Sequence, residues 1–171
     1  MRFARIIATV FVSFFAASAL AADYIYAEVP PSHYAGCLKC SGTSVISNYP
    51  GYYEWPPCTS QGSGAQWTYT PNGLNGFRLI NSGLVGKALM LLTDGTVGLS
   101  TYSSSEPRQI WNVYLSCPSA NAVILRSNYS GDCLFVNQGS YPYYSGVVGM
   151  ATCPASCPGT LSGFYFQSPL F

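Results

Sequence analysis

Few residues in this chain are equipped for acid–base or metal chemistry. His33 is the single histidine. It stands beside Pro31 and Ser32 with no acidic residue near it in sequence, so a Ser-His-Asp or Cys-His arrangement has no local support. The carboxylates are Asp23, Glu28, Glu54, Asp94, Glu106 and Asp132. Most of them fall in predicted termini or turns, which suits solvated side chains better than the facing pair that glycoside hydrolysis needs. Cys37-x2-Cys40 with Cys153-x3-Cys157 mimics zinc-ligand spacing. Seven cysteines behind an export leader point first to disulfides instead. Catalysis is not expected, and nothing calls for a cofactor.

What the chain holds in quantity is aromatic and amide chemistry, with 14 tyrosines and three tryptophans. Tyr49, Tyr52, Tyr53 and Trp55 crowd the stretch from Asn48 to Pro57 among prolines and a glycine. Tyr141, Tyr143 and Tyr144 form a second cluster. Aromatic residues in loops rather than alternating strands either pack the loop or present a contact surface at low entropic cost. An exposed tryptophan face accepts the apolar C–H face of a pyranose.

Composition limits the partner. Residues 1–21 read as a secretory leader, with Arg2 and Arg5, an apolar middle from Ile6 to Ala17, and Ala19-Leu20-Ala21 as the cleavage site. The apolar segment is short for a membrane anchor, and no later segment is long enough to span a bilayer. Of seven basic residues two lie in the leader, leaving five against six acidic ones. No basic run exists, so the counterion release that drives nucleic-acid binding has no source. Residues 22–171 suffice for one domain with a real core, secreted and facing neutral partners such as a glycan or glycoprotein.

The elements that must position these groups are short strands. Phe77-Asn81, Lys87-Leu92, Val97-Tyr102 and Gln109-Leu115 are apolar runs separated by Ser82-Gly83, by Asp94-Gly95 and by a Ser/Pro loop. Asp-Gly and Ser-Gly between β-rich runs favour tight reversals, and nothing holds a helical period. The unit recurs at about 45 residues. Phe77-Arg78-Leu79-Ile80-Asn81 matches Val123-Ile124-Leu125-Arg126-Ser127, and Lys87-Ala88-Leu89 matches Asp132-Cys133-Leu134. Gly36-Cys37-Leu38-Lys39 occupies the same slot upstream. The expectation is an all-β chain of three four-stranded repeats with pseudo-threefold symmetry, closed on one shared core.

A G-x-C/A-L-x-V/L strand, a D-G turn, a V-x-L strand and then Q-x-W resembles one repeat of the ricin-B-type β-trefoil lectins. The resemblance covers essentially the whole mature chain. Gln109-Ile110-Trp111 matches the Q-x-W well, Gln66-Trp67 is one residue short, and Phe164-Tyr165-Phe166-Gln167 matches poorly. In that family the motif tryptophan packs in the core. A sugar site there combines an Asp, a stacking aromatic and an Asn-Gln pair within one repeat. The matching Asp positions here are Lys39, Met90 and Phe135; the aromatic positions are Trp55, Ser100 and Ala151; the Asn positions begin with Ala65 and Arg108. No copy keeps the full set, and copy one comes nearest with Trp55, Tyr53 and Gln66. Without the Asp, discrimination among sugars should be poor.

The repeat frame also orders the cysteines. Cys37 and Cys58 hold the positions of Cys133 and Cys153, whereas copy two has Ala88 and Tyr102 there. This paired presence and absence supports Cys37–Cys58 and Cys133–Cys153, each stabilising by about 3 kcal/mol. Cys117–Cys157 and a free or intermolecular Cys40 are the remaining assignment, with Cys40 an alternative to Cys37 in the first bridge. Asn128-Tyr129-Ser130 is an N-glycosylation acceptor expected in an exposed turn. Two functions follow: a carbohydrate-binding protein, or an interaction module with decayed sugar sites that binds a protein. Trefoils also serve as receptor-binding toxin subunits and protease inhibitors, and fold analogy does not choose.

Overall fold

Twelve strands and two short 3-10 turns make up the regular elements named among the described residues of a computed structural model, which describes residues 23–29, 34–41, 44–48, 62–73, 76–117, 122–137, 146–157 and 163–166. Copy one contributes β1 (Asp23–Val29), β2 (Tyr34–Ser41), β3 (Ser44–Asn48) and β4 (Gln66–Pro71). Copy two contributes β5 (Phe77–Asn81), β6 (Lys87–Leu91), β7 (Val97–Thr101) and β8 (Trp111–Cys117). Copy three contributes β9 (Ala122–Ser127), β10 (Cys133–Asn137), β11 (Gly146–Ala151) and β12 (Gly163–Phe166).

The first and last strands of each copy close a ring. β1 pairs β4, β4 pairs β5, β5 pairs β8, β8 pairs β9, β9 pairs β12, and β12 returns to β1, all antiparallel. The middle strands form three hairpins, β2–β3, β6–β7 and β10–β11. These meet one another through β3–β7 and β3–β11. A six-stranded barrel with a three-hairpin cap is a β-trefoil, as the repeats predict. Closure matters physically, because a four-stranded unit alone has open edges and an unburied apolar face.

Register makes the threefold relation residue-specific. Trp67 lies opposite Asp23, Trp111 opposite Phe77 and Phe164 opposite Val123. Counting from these pairs, Ile25, Leu79 and Leu125 are equivalent. The hairpin ladders likewise relate Leu38, Leu89 and Leu134, and also Val45, Val97 and Val148. All nine are buried in one apolar cluster that also contains Trp67, Phe77 and Trp111. Each such side chain contributes roughly 1.5–3 kcal/mol through burial. Truncating one, as in Leu89→Ala, would cost about 2–5 kcal/mol.

Local chemistry sets the turns. Asp94 Oδ1 accepts hydrogen bonds from Thr96 N–H (3.0 Å) and the Thr96 hydroxyl (2.6 Å), reversing the chain between β6 and β7 at the expected Asp-Gly. Asn81 Oδ1 does the same for the N–H groups of Gly83 and Leu84 after β5. Strand ends differ from the sequence expectation by a residue or two: β6 stops at Leu91, β7 at Thr101, and β8 runs on to Cys117. β8 begins at Trp111 rather than at Gln109, because Pro107–Gln109 forms a 3-10 turn with proline at its start and the Glu106 carboxylate capping Arg108 N–H. No helix among the described residues is long and apolar enough to cross a membrane.

Candidate functional site

The two Q-x-W-like tryptophans are sealed. Trp67 and Trp111 are 1% and 0% exposed. Trp67 Nε1–H donates to the Leu38 carbonyl (2.9 Å), and Trp111 Nε1–H donates to the Leu89 carbonyl (3.2 Å). Leu38 and Leu89 are the equivalent core residues of β2 and β6, so each indole ties the last strand of its repeat to the second strand. A buried indole finds such an acceptor for its N–H, and neither ring is available to a ligand. The register gives Phe164 the third of these positions.

Gln109, two residues before Trp111, is fully buried. Its Nε2 donates to the Thr101 carbonyl (2.7 Å), and its Oε1 accepts from Ser103 N–H (3.0 Å). The amide therefore holds the loop after β7 against the start of β8. Arg78, 3% exposed on β5, fastens the same loop: Nη2 donates to the Ser104 carbonyl (2.8 Å) and Nη1 to Asn72 Oδ1. At the loop's outer edge Glu106 accepts two bonds from the Arg108 side chain and one from its backbone N–H. The Arg108 side-chain bonds, then the backbone bond, hold the Glu106 carboxyl down to about 2.

In copy one the position two residues before the tryptophan is Ala65, buried and without polar reach. Gln66 instead takes the place of Ile110: Ser82 N–H donates to the Gln66 carbonyl (2.9 Å) as Asn128 N–H does to the Ile110 carbonyl (3.0 Å). The Gln66 side chain is half-buried. The 3-10 turn Ser63–Ala65 that delivers it is pinned by Asn81, whose Nδ2 donates to the Gly64 carbonyl (2.9 Å). Gly83 makes room for that turn, since a Cβ there would meet Gly64 N at 2.7 Å.

Lys39, Met90 and Phe135 directly follow the three equivalent leucines, so the ladder places them in one threefold-related position. Ser100 and Ala151 are equivalent too, and register gives Asn48 as their copy-one counterpart. Trp55 follows Asn48 in the long connection between β3 and β4. Trp55, Tyr53 and Cys58 lie outside the described residues, as do Tyr49, Tyr52, Tyr141, Tyr143, Tyr144, His33 and residues 1–21.

Cys133–Cys153 is formed. Cys37 and Cys157 are also disulfide-bonded, so three of the four cysteines with zinc-like spacing are oxidised. Cys40 is free and half-buried, and burial pushes its thiol up to about 12. Among the described residues no group of three or more His, Cys, Asp or Glu could hold a metal. Asn128 is exposed in the turn after β9, and its Oδ1 accepts from Asn112 Nδ2 (3.1 Å). A polar cleft on that flank groups Asn112, Tyr114, Arg126 and Asn128. Sequence reading passed over it, because Tyr114 and Arg126 come from different repeats and share no motif.

No protein-family model matches the chain, and no curated protein does. Solved structures do. The crystal structure of cytolethal distending toxin from Actinobacillus actinomycetemcomitans superposes with a TM-score of 0.63 at 20% identity, covering 87% of this chain and 93% of that one. The designed threefold-symmetric protein ThreeFoil gives 0.61 at 20% identity, covering 85% and 99%. The BEL β-trefoil gives 0.54 at 16% identity, covering 84% and 91%. The likeness is one of fold. It agrees with the barrel and cap that the strand pairings define.

Proposed function

We propose that the protein is a secreted, non-catalytic carbohydrate-binding protein related to the ricin-B-type lectins, exported by removal of residues 1–21. Its sugar contact lies in copy one, where Trp55 stacks on the apolar face of a pyranose, Tyr53 flanks it and Gln66 hydrogen-bonds a hydroxyl. The observation that carries this reading is the fate of the other two tryptophans. Trp67 and Trp111 are buried and hydrogen-bonded within the core, which leaves Trp55 as the tryptophan to offer a ligand. The half-buried Gln66 stands at the end of the same connection. Weak binding per site, raised by several sites or copies, fits such a surface. Cys37–Cys58 would brace the connection, and Asn128 would carry a glycan in a host that glycosylates.

A second reading rests on one position of the hairpins. Lys39, Met90 and Phe135 stand where the resembled lectins keep an Asp, which favours a β-trefoil interaction module with degenerate sugar sites. Its partner would be a protein, met as a receptor-binding toxin subunit, effector or protease inhibitor. A glycan array probed with the disulfide-bonded protein separates the two. Signal on a set of neutral glycans supports the first reading, and an empty array with specific capture of a protein ligand supports the second.

A further inference from the structure

The β8–β9 pair breaks the threefold pattern in a way that builds a site. Between copies one and two, β4 and β5 pair without interruption from Trp67↔Asn81 to Pro71↔Phe77. The equivalent β8–β9 ladder runs Trp111↔Ser127, Asn112↔Arg126 and Val113↔Leu125, then shifts so that Leu115 faces Ile124. Tyr114 is the extra residue. Such bulges re-aim a side chain, and they recur beside functional sites. Here the bulge leaves Tyr114 39% exposed beside Arg126.

The substitutions around the bulge point the same way. Register places Arg126 where the β4–β5 pair has Ile80, Asn112 where it has Thr68, and Asn128 where Ser82 follows β5. One apolar position has become a cation, and two amides flank it. The Arg126 guanidinium is fixed on two sides. Its carbon lies 5.6 Å from the Tyr114 ring centroid, and Nε donates to the Gly131 carbonyl (2.9 Å). Gly131 has a φ of 81°, which favours glycine, and a Cβ there would stand 3.2 Å from Nη2, tight against the guanidinium. Arg126 has no carboxylate partner among the described residues. Its two Nη groups remain available at the rim of a cleft of about 190 Å³ lined by Asn112, Tyr114, Arg126 and Asn128. Tyr129, 62% exposed, stands next in the same turn.

We propose that this cleft binds a carboxylate-bearing sugar, such as a uronic acid at a glycan terminus. A guanidinium held by stacking and one hydrogen bond presents a fork that matches a carboxylate. The Asn112 and Asn128 amides supply donors and acceptors for hydroxyls. The exposed tyrosines offer faces for ring C–H groups. The small volume takes one ring rather than an extended chain. The site lies on the barrel wall and is independent of the copy-one contact, so either can fail without the other.

Titration of isotope-labelled, disulfide-bonded protein, made in a host without N-glycosylation, tests this by amide chemical shifts. The probes are methyl glucuronide, methyl glucoside and acetate. Methyl glucuronide should shift the amides of residues 112–114 and 126–131 saturably and bind at least about tenfold tighter than methyl glucoside. Arg126→Gln should erase that preference, Arg126→Lys should keep part of it, and Tyr114→Ala should weaken the glucuronide further. The dispersed spectrum of each variant reports that it has folded. Equal shifts with glucoside, an undiminished response in folded Arg126→Gln, or no saturable shift at these residues would overturn the proposal. Acetate acting as strongly as the glucuronide would overturn the sugar assignment. Shifts near Gln66 with neutral sugars concern the copy-one contact alone.

Discussion

Trp111 donates its indole N–H to the Leu89 carbonyl at 3.2 Å, and Trp67 makes the same bond to Leu38 one repeat earlier at 2.9 Å. The bond joins barrel to cap: Trp111 sits on the barrel strand β8 and Leu89 on the hairpin strand β6. Trp111→Phe keeps an aromatic ring at this position but strands a buried carbonyl and leaves unfilled volume. It should remain folded and lose roughly 2–3 kcal/mol in urea unfolding, with Trp111→Ala losing about 3–5 kcal/mol. A loss below about 0.5 kcal/mol for Trp111→Phe would deny the bond its role.

Gln109 is a structural amide. Gln109→Met preserves the volume while abandoning Thr101 and Ser103, so it should cost about 1–3 kcal/mol, nearly as much as Gln109→Ala. Equal stability of Gln109→Met and wild type in denaturant unfolding would mean that the two loop groups find other partners.

The Cys133–Cys153 bridge spans a separation of 20 residues. Replacing both cysteines with alanine should lower stability by about 3 kcal/mol, since the unfolded chain regains the loop's freedom. An unchanged unfolding midpoint would contradict this.

Acid should weaken the loop after β7. The Glu106 carboxyl is held down to about 2 by the Arg108 bonds, below its ordinary 4.5. A depressed folded value means the contribution is fully present above the unfolded pKa and is lost as pH falls toward 2. The pair lies partly exposed at the surface, so solvent screening keeps the effect small. Wild type should lose stability between pH 4.5 and 2 more steeply than Glu106→Gln in thermal unfolding followed across that window. Parallel curves would assign the acid response elsewhere, with Asp94, also depressed by its Thr96 bonds, the next carboxyl to replace.

Much of the fold was legible because its signals are local. Asp94-Gly95 and Ser82-Gly83 specify reversals, and the recurrence of Phe77-Asn81 in Val123-Ser127 carries the core positions with it. The Cys133–Cys153 pairing was legible from the joint loss of both cysteines in copy two. Less was legible where spacing slips. Gln66 reads as the motif glutamine, but the ladder counts from the tryptophan, and Ala65 is the residue two positions before it. Trp55 reads as the counterpart of Ser100 and Ala151, whereas the hairpin register gives Asn48 that place. The β8–β9 cleft was invisible because Trp111, Val113 and Leu115 alternate in sequence as an unbroken strand would, so nothing there marks the shift in pairing after Val113.

The proposed stacking of a sugar on Trp55 makes that side chain the one whose loss binding must feel. The most direct test is titration of a glycan that binds on the array into folded wild type, Trp55→Ala and Lys39→Ala. Trp55→Ala should lose about tenfold or more in affinity, and Lys39→Ala should keep wild-type affinity. Full binding by a folded Trp55→Ala protein would contradict the proposed stacking.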